Sequence, residues 1–511
     1  MSQKQRERGI MISYLTLGVN AVIALGFTPF ITHMLGKSEL GLYTAAQSII
    51  SFMTMLDLGF GNSMIRFNAK YRADGDEAGE AKLNGMFLLM FSAISLLAIA
   101  IGAGIYFNIE PFFKEFTPHE VERAKLIFLI LLVNICLSFP FTAVTALLSA
   151  YERFTFLKTY YLVTNVLTYG AQAVVLLCGC KSVAVAAAYS AVNVLAKLVP
   201  ILYIKTKMTV RFEFGRLDPR MLREVLAYSA FVFLSLAVDR IYADTDKILL
   251  GRYVGTAAVS VYGVAATLNK DAGEFSVAIS GVFLPSITKL ITQKAPMREI
   301  SDIFIRIARV QFLVLTFIFG GFLIFGKRFI HFWVGDEYLE SYYIALLLMA
   351  PGIIPLSQNI GISVIQAMNK HRARSVMYVF IALFNIGVSI PLIKLWGGVG
   401  AAIGTMIGNL LGQWTFMNWY YHRKIGLDIP RYWTRVVLRI GVVVAPYTAA
   451  GYLVNRLLPE PSLVMLAVRI LVYCLIFAPA AWFAILNREE KDFVLQKLRP
   501  VLSKIKRRPT A

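Results

Sequence analysis

The chain has 511 residues, of which 58% are hydrophobic and 16% are charged, and its mean hydropathy is +0.65. Apolar runs of about twenty residues recur from end to end, and each can cross roughly 30 Å of hydrocarbon. This pattern excludes a soluble globular protein and predicts an all-α polytopic membrane protein. A transmembrane β-barrel is excluded as well, because barrels show short alternating segments and these runs are continuous.

The net charge of +21 raises the question of nucleic-acid binding. The basic residues, however, occur in alternate loops between the apolar runs, as the positive-inside rule describes for membrane proteins. The longest of the base-poor loops, near 108–123, is acidic and contains Glu120. We therefore expect no nucleic-acid partner, and we predict a membrane protein with both termini in the cytoplasm.

Motifs for metal, nucleotide or redox chemistry are absent from the sequence. The four cysteines have neither zinc-ligand spacing nor the spacing of a disulfide framework. Cys178 and Cys180 could be a redox pair, or they could be two small buried hydrophobic residues. The five histidines are scattered, there is no P-loop, and the loops are too short for an enzymatic domain. We expect a transporter without a metal or cofactor, not an enzyme.

Fourteen apolar segments are predicted to cross the membrane as helices. The first begins after a basic stretch and continues to Leu35 without a small-residue cleavage site, so it is predicted to be an uncleaved helix. The predicted spans are 10–35, 41–65, 84–107, 124–149, 160–178, 183–204, 226–250, 257–285, 307–325, 341–366, 374–394, 398–421, 435–455 and 463–486.

The two halves of the chain resemble each other at a spacing of about 215–219 residues. MLGKSELGLYTAAQSI (34–49) aligns on YVGTAAVSVYGVAATL (253–268), and SVAVAAAYSAVNVLAK (182–197) aligns on GVGAAIGTMIGNLLGQ (398–413). Because each half has an even number of helices, the pattern predicts a parallel repeat. The predicted divisions are an N-terminal six-helix lobe at 1–207, a C-terminal six-helix lobe at 208–425, two additional helices at 426–486 and a basic tail at 487–511.

The basic tail is predicted to be a cytoplasmic amphipathic helix on the anionic inner leaflet, because apolar residues recur in it at helical spacing. A soluble basic tail is the alternative.

The seventh span carries five ionisable residues, although charges inside a bilayer are costly and usually line a cavity or an ion path. Arg240, Asp244 and Lys247 are spaced i, i+4 and i+7 and therefore share one helix face. Asp239 and Asp246 share a neighbouring face. This span is the strongest candidate for a functional helix.

Further polar residues are predicted inside the membrane or at its edge. They are Lys270, Asp271 and Glu274 halfway through the eighth span, Lys197 in the sixth, Asp57 and Arg66 in the second, and Asn20 in the first. The repeat places Asn20 opposite Asp239, so the first span is uncharged at that depth. The predicted charge is therefore asymmetric and concentrated in the second half.

Two interpretations of these residues are open. In the first, Arg240–Asp244 and Asp244–Lys247 are internal ion pairs that hold helices together. In the second, basic residues bind an anionic head group, since arginine and lysine both suit phosphate oxygens. The candidate substrate-binding residues are then Arg240, Lys270, Lys247, Lys197, Arg66 and Asn20. Lys197 could instead extend to the inner interface, and Arg66 could be an anchor there.

The second interpretation also gives the carboxylates a role, because desolvation favours uptake of a proton or another cation by a buried carboxylate. The candidate ion-coupling residues are Asp239, Asp244, Asp246, Asp271, Glu274 and Asp57.

Three segments resemble a known family. TPFITHMLGKSELGLYTAAQSIISFMTMLDLGFGNSMIRFNAKYRADGD (28–76) is similar to the N-terminal signature of the polysaccharide-repeat flippases. TDKILLGRYVGTAAVSVYGVA (245–265) resembles that family's connection between the seventh and eighth spans, and GGVGAAIGTMIGNLL (397–411) its twelfth-span glycine pattern. These flippases are O-antigen and capsule export proteins of the multidrug/oligosaccharidyl-lipid/polysaccharide exporter superfamily.

The resemblance implies two six-helix lobes in a V around a central cavity, lined mainly by the first, second, seventh and eighth helices. It also implies that an undecaprenyl-diphosphate-linked oligosaccharide crosses the cytoplasmic membrane by alternating access, coupled to an H⁺ or Na⁺ gradient. The implied partners are the lipid-linked oligosaccharide, membrane lipids, polysaccharide polymerase and glycosyltransferases. The first and second spans carry fewer basic residues than the resemblance implies for helices that line the cavity.

Two related functions are alternatives. A peptidoglycan lipid-precursor flippase would use the same kind of cationic cavity. A multidrug–cation antiporter of the same fold would use an acidic pocket, for which Asp239, Asp244 and Asp246 are candidates. A membrane-embedded glycosyltransferase or polymerase would be expected to have a large outer loop, and none is predicted.

Overall fold

A computed structural model describes residues 3–215, 219–368, 370–459, 462–488 and 490–491. Throughout these ranges the regular structure consists of α-helices with short 3₁₀ and π-helical segments, and no strand occurs among the described residues. The predicted all-α fold is confirmed. Most of the predicted amphipathic tail, 492–511, lies outside the described residues.

The helices are numbered in chain order. The first eight are α1 (Gln3–Met53), α2 (Phe60–Asp74), α3 (Glu77–Phe112), α4 (Pro118–Ala150), α5 (Phe154–Leu177), α6 (Ser182–Ala196), α7 (Leu198–Lys207) and α8 (Pro219–Tyr253). Those that follow are α9 (Thr256–Thr292), α10 (Met297–Val334), α11 (Glu340–Ser357), α12 (Ile360–Ala367), α13 (His371–Asn409), α14 (Asn418–Tyr420), α15 (Ile429–Tyr432), α16 (Arg439–Leu457) and α17 (Leu463–Ala480). A 3₁₀ turn at Thr54–Asp57 joins α1 to α2.

The described residues contain 11 helical stretches long and apolar enough to span a membrane, or 12 when the bent pair in α9 is counted. Two of these stretches, Gly18–Asp74 and Arg374–Ile425, are more than 50 residues long. Each of them contains two predicted spans, with a break at Gly36 in the first and at Gly397 in the second. Counting both as pairs agrees with the prediction of about fourteen spans.

The breaks between helices recur at the spacing of the predicted repeat. Gly36 has a φ of 73° and Gly255, its counterpart, a φ of 111°. Gly179 and Gly397, at the second pair of breaks, have φ values of 79° and 54°. Glycine adopts this left-handed region without the steric cost that a Cβ would bring. Equivalent helices in the two halves are therefore joined by equivalent glycine turns.

The chain forms two compact units. The first contains Met1–Asp271, Tyr343–Leu348 and Lys370–Gly412, and in it α1 packs against α4, α5 and α8. The second contains the remaining segments, and in it α10 packs against α16 and α17. These boundaries differ from those of the predicted lobes, which stay a prediction.

A buried ion pair connects several segments of the second unit. Arg309 of α10 donates from Nε to Glu490 at 2.8 Å, and both side chains are more than 90% buried. The same guanidinium donates to the backbone carbonyls of Arg435 and Ile485, each at 2.8 Å. A buried charge of this kind is stable only when it is paired and fully hydrogen-bonded. Arg309 thus fixes the end of the last span to α10 and to the segment before α16.

Candidate functional site

α8 lies antiparallel to the second predicted span, formed by the end of α1 and by α2. We call the line of contact between them the α2–α8 seam. Residue numbers rise along one helix as they fall along the other. The contacts are Ser48 with Asp244, Ser51 with Arg240, Gly59 with Val232, Ser63 with Ser229, and Arg66 with Tyr228. From Ser48 to Arg66 the seam extends for roughly 27 Å, close to the thickness of the hydrocarbon core.

Small residues permit the close approach of the two helices. A Cβ added at Gly59 would lie 2.6 Å from the side chain of Val232, so no larger residue fits there without movement. One turn further, the hydroxyl oxygens of Ser63 and Ser229 are 2.6 Å apart. Glycine and serine are the residues that membrane helices use at such contacts.

The end of the seam at Ser48 contains the charged face predicted from the sequence. Lys247 Nζ pairs with Asp244 Oδ1 at 2.9 Å, and buried Asp244 also accepts a 3.4 Å hydrogen bond from Ser48. Arg240 is exposed and donates to the Ser51 hydroxyl at 3.2 Å, with no carboxylate partner among the described residues. Of the two predicted ion pairs, the structure therefore contains Asp244–Lys247.

The neighbouring face of α8 buries a second carboxylate. Asp246 is 4% exposed, and its Oδ2 accepts hydrogen bonds from the Tyr262 hydroxyl at 2.5 Å and from Thr405 at 2.6 Å. Asn385 donates to Thr405 at 3.2 Å and accepts from Ser389 at 3.4 Å. Asp246 Oδ1 is buried and has no hydrogen-bond partner among the described residues. A buried carboxylate oxygen without a partner can take up a proton or a small cation.

A similar network without a carboxylate lies in the first half. Tyr43, the counterpart of Tyr262, is also buried and accepts a 3.0 Å hydrogen bond from Gln172. The position that corresponds to Asp246 at the same spacing is Phe27, whose ring packs edge-on against Tyr169 at 4.9 Å. The two halves therefore bury equivalent tyrosines, one beside an amide and the other beside a carboxylate.

The side chain of Asp239 lies outside the described residues. Lys270 and Glu274 of α9 are exposed, as is Asn20 of α1, and none of these three has a hydrogen bond or ion pair with a described residue. Asp271 is half-buried and interacts with Tyr169. The described contacts do not join Lys270, Glu274 or Asn20 to the charges of α8.

The remaining two candidates occupy helix breaks. Lys197, between α6 and α7, donates to Asn134 Oδ1 at 3.0 Å and lies 6.0 Å from the Phe141 ring. Asp57 ends the 3₁₀ turn before α2, and its carboxylate lies beside the backbone amides of Gly59 and Gly61. Both residues lie between helical segments, and neither contacts the charged face of α8 through a described hydrogen bond.

A polar cluster at the opposite end of α8 from Tyr228 was not predicted. Glu120 accepts hydrogen bonds from Ser38 at 2.6 Å and from Thr256 at 2.8 Å, and it forms a capping box with Thr117 at the start of α4. Ser38 and Thr256 follow the equivalent glycine turns of the two halves. The Thr-x-x-Glu pattern was the available signal, because it predicts where α4 begins.

Comparisons with known proteins agree with this architecture. The family described as "Polysaccharide biosynthesis protein" matches residues 7–291, which is more than half of the chain. The chain belongs to this polysaccharide biosynthesis family. The family predicted from the three segments is thereby confirmed, and the chain is a polytopic membrane transporter of the polysaccharide biosynthesis type.

Relatives of this polysaccharide biosynthesis protein include a Shigella flexneri protein named as an O-antigen transporter. The two are 19% identical over 407 residues, which cover 79% of this chain and 95% of the relative. The teichuronic acid biosynthesis protein TuaB of Bacillus subtilis is 24% identical over 322 residues, covering 62% and 61%. The fold is similar to that of the lipid II flippase MurJ in an inward closed conformation, with a TM-score of 0.73, 14% identity and coverage of 92% and 97%.

Proposed function

We propose that this protein is a flippase that moves undecaprenyl-diphosphate-linked oligosaccharide repeat units across the cytoplasmic membrane for cell-surface polysaccharide synthesis. One observation carries the proposal: α8 combines Arg240, which has no carboxylate partner among the described residues, with the buried carboxylate of Asp246 six residues later. A cation for the head group and a carboxylate for the driving ion are the two groups that ion-coupled transport of an anionic lipid needs. Family membership and the O-antigen relative support the same substrate class.

Arg240 and Lys270 are the proposed contacts of the diphosphate. Neither has a carboxylate partner within the described part of the chain, whereas Lys247 is neutralised by Asp244. An arginine can donate two parallel hydrogen bonds to phosphate oxygens, and a lysine adds a compact charge. Arg240 lies 13 residues before the end of α8 and Lys270 lies 14 residues after the start of α9, so the two are at similar depths.

Asp246 is the proposed site of the coupling ion, H⁺ or Na⁺. Its unpartnered Oδ1 would accept the ion, while Tyr262 and Thr405 hold Oδ2 in place. Asp246 belongs to α8, Tyr262 to α9 and Thr405 to α13, so occupancy would change how three helices pack. A ligand drives alternating access only when it binds one state more tightly than the other, so the proposal requires Asp246 to bind the ion more tightly in one state.

Transport in liposomes tests the proposal. The full chain is reconstituted with fluorescent lipid-linked oligosaccharide, and the appearance of label in the opposite leaflet is measured. Loss of a charge-assisted contact of about 1.5–3 kcal/mol predicts that Arg240→Ala slows transport at least roughly tenfold. Arg223→Ala is the matched control, because Arg223 is an exposed arginine on the same helix. Absence of transport by the unsubstituted protein would contradict the proposed function, and equal rates for the two variants would contradict the role of Arg240.

A peptidoglycan lipid precursor is the second candidate substrate. The observation that favours it is the similarity in fold to a lipid II flippase, at a TM-score of 0.73. The same liposomes loaded with labelled lipid II give the comparison. Faster transport of lipid II than of the oligosaccharide substrate would favour this candidate.

A further inference from the structure

A cleft of about 350 Å³ opens at the end of the α2–α8 seam where α8 begins. Arg66, Phe67 and Lys70 of α2 line one wall, and Glu224, Ala227 and Tyr228 of α8 line the other. Arg66 and Lys70 are one turn apart and therefore lie on the same face of α2. The volume falls within the roughly 300–1,000 Å³ range of small-molecule sites in proteins.

The cleft has cations that are free to bind an anion. Arg66 Cζ lies 4.6 Å from the centre of the Tyr228 ring in a cation–π contact, and no described hydrogen bond occupies the guanidinium N–H groups. Neither Arg66 nor Lys70 forms an ion pair or hydrogen bond with any residue that the structure describes. Glu224 contributes the one negative charge of the lining, so the cleft is net positive.

We propose that this cleft binds the diphosphate head group of the lipid-linked substrate before transport, an inference that rests on the proposed function. An arginine placed over an aromatic ring, with a lysine one turn away, offers two positive charges and several N–H donors to the oxygens of a diphosphate. The positive-inside bias of the sequence assigns this end of α8 to the cytoplasmic surface, where the head group of the lipid would arrive.

The cleft is separate from the proposed transport contact. Tyr228 and Arg240 are 12 residues apart on α8, which corresponds to roughly 18 Å along the helix. A head group bound at Arg66 cannot reach Arg240 without moving along the seam. The two arginines would therefore act in sequence, with Arg66 at entry and Arg240 further along the seam.

Native mass spectrometry of the full chain in detergent tests this inference. The probes are farnesyl diphosphate, inorganic diphosphate and phosphatidylglycerol, which separate a lipid diphosphate from the free anion and from a general anionic lipid. The double variant Arg66→Ala/Lys70→Ala is expected to bind farnesyl diphosphate at least roughly tenfold more weakly. Glu224→Gln is expected to bind it several-fold more tightly, because the repulsive charge is removed. Lys205→Ala/Lys207→Ala is the matched control, since it removes two exposed cations at the end of α7, outside the cleft.

A misfolded variant would lose binding. The gain expected for Glu224→Gln, opposite to the loss expected for the double variant, therefore separates a specific effect from misfolding. A loss of binding in the double variant together with no gain in Glu224→Gln would overturn the inference, as would an equal loss in the control. Equal binding of phosphatidylglycerol and farnesyl diphosphate would show an anionic-lipid site and overturn the diphosphate assignment. The liposome assay is separate: transport by the unsubstituted protein with no binding defect in the double variant rejects the cleft and keeps the flippase.

Discussion

The buried polar networks of the two halves contain equivalent tyrosines and differ in charge. Tyr43 accepts a hydrogen bond from the neutral Gln172, whereas Tyr262 donates to the carboxylate of Asp246. Phe27 occupies the position that corresponds to Asp246, so the first half has no acid there. The comparison teaches that the two halves can bury equivalent tyrosines while one is beside an amide and the other beside a carboxylate.

Glu490 is a buried carboxylate that is paired with Arg309, and it serves as a comparison for Asp246. Glu490→Ala leaves Arg309 buried without a counter-ion, so we expect a loss of roughly 3–5 kcal/mol in stability. The midpoint of thermal unfolding in detergent measures this. We expect the shift to be the same in Na⁺ and K⁺ buffers and at different pH values near neutrality. A shift that depends on Na⁺ would remove the distinction between Glu490 and Asp246.

Asp246→Asn is the sharpest test of the difference between the halves. An amide cannot bind the proposed coupling ion as a carboxylate does, so we expect ion-driven transport to fall by roughly 5- to 150-fold, which corresponds to a coupling free energy of about 1–3 kcal/mol. Transport in liposomes under imposed Na⁺ and pH gradients measures the effect. Gln172→Asn in the neutral network is the matched control. A similar loss in both variants would mean that the first half also contributes to coupling.

The two tyrosines allow the smallest but most closely matched comparison. Tyr262→Phe removes a hydrogen bond to a carboxylate, worth about 1.5–3 kcal/mol, whereas Tyr43→Phe removes a neutral one, worth about 0.5–1.5 kcal/mol. Thermal unfolding of the two variants should therefore show a larger shift for Tyr262→Phe. If the shifts are equal, Asp246 does not differ from Gln172 as a hydrogen-bond partner.

The sequence predicted the helical fold, the number of spans and the family, because each depends on local hydropathy and short motifs. It also predicted that Arg240, Asp244 and Lys247 share a face of α8. It could not decide between Arg240 and Lys247 as the partner of Asp244, since that depends on where Ser48 and Ser51 approach from the second span. Contacts between distant segments have no signal in a single sequence.

The same limit applies to the residues that hold Asp246. Tyr262 was recognised as a repeat position, yet Thr405 lies 159 residues from Asp246 in sequence. Glu120 was noticed only for its charge, although it bridges the turns of both halves. Arg66 was predicted as either an anchor or a ligand, and its stacking on Tyr228 depends on the register of α2 against α8.

That register has a consequence for how such transporters can diverge. An α-helix turns by about 100° per residue, so one inserted or deleted residue between Ser48 and Ser63 would rotate every later side chain away from its partner on α8. Substitutions alter one contact, but a change of length disrupts the contacts that follow it. Divergence in this part of the chain is therefore expected to proceed by exchanging residues at a fixed length, while insertions are confined to the loops.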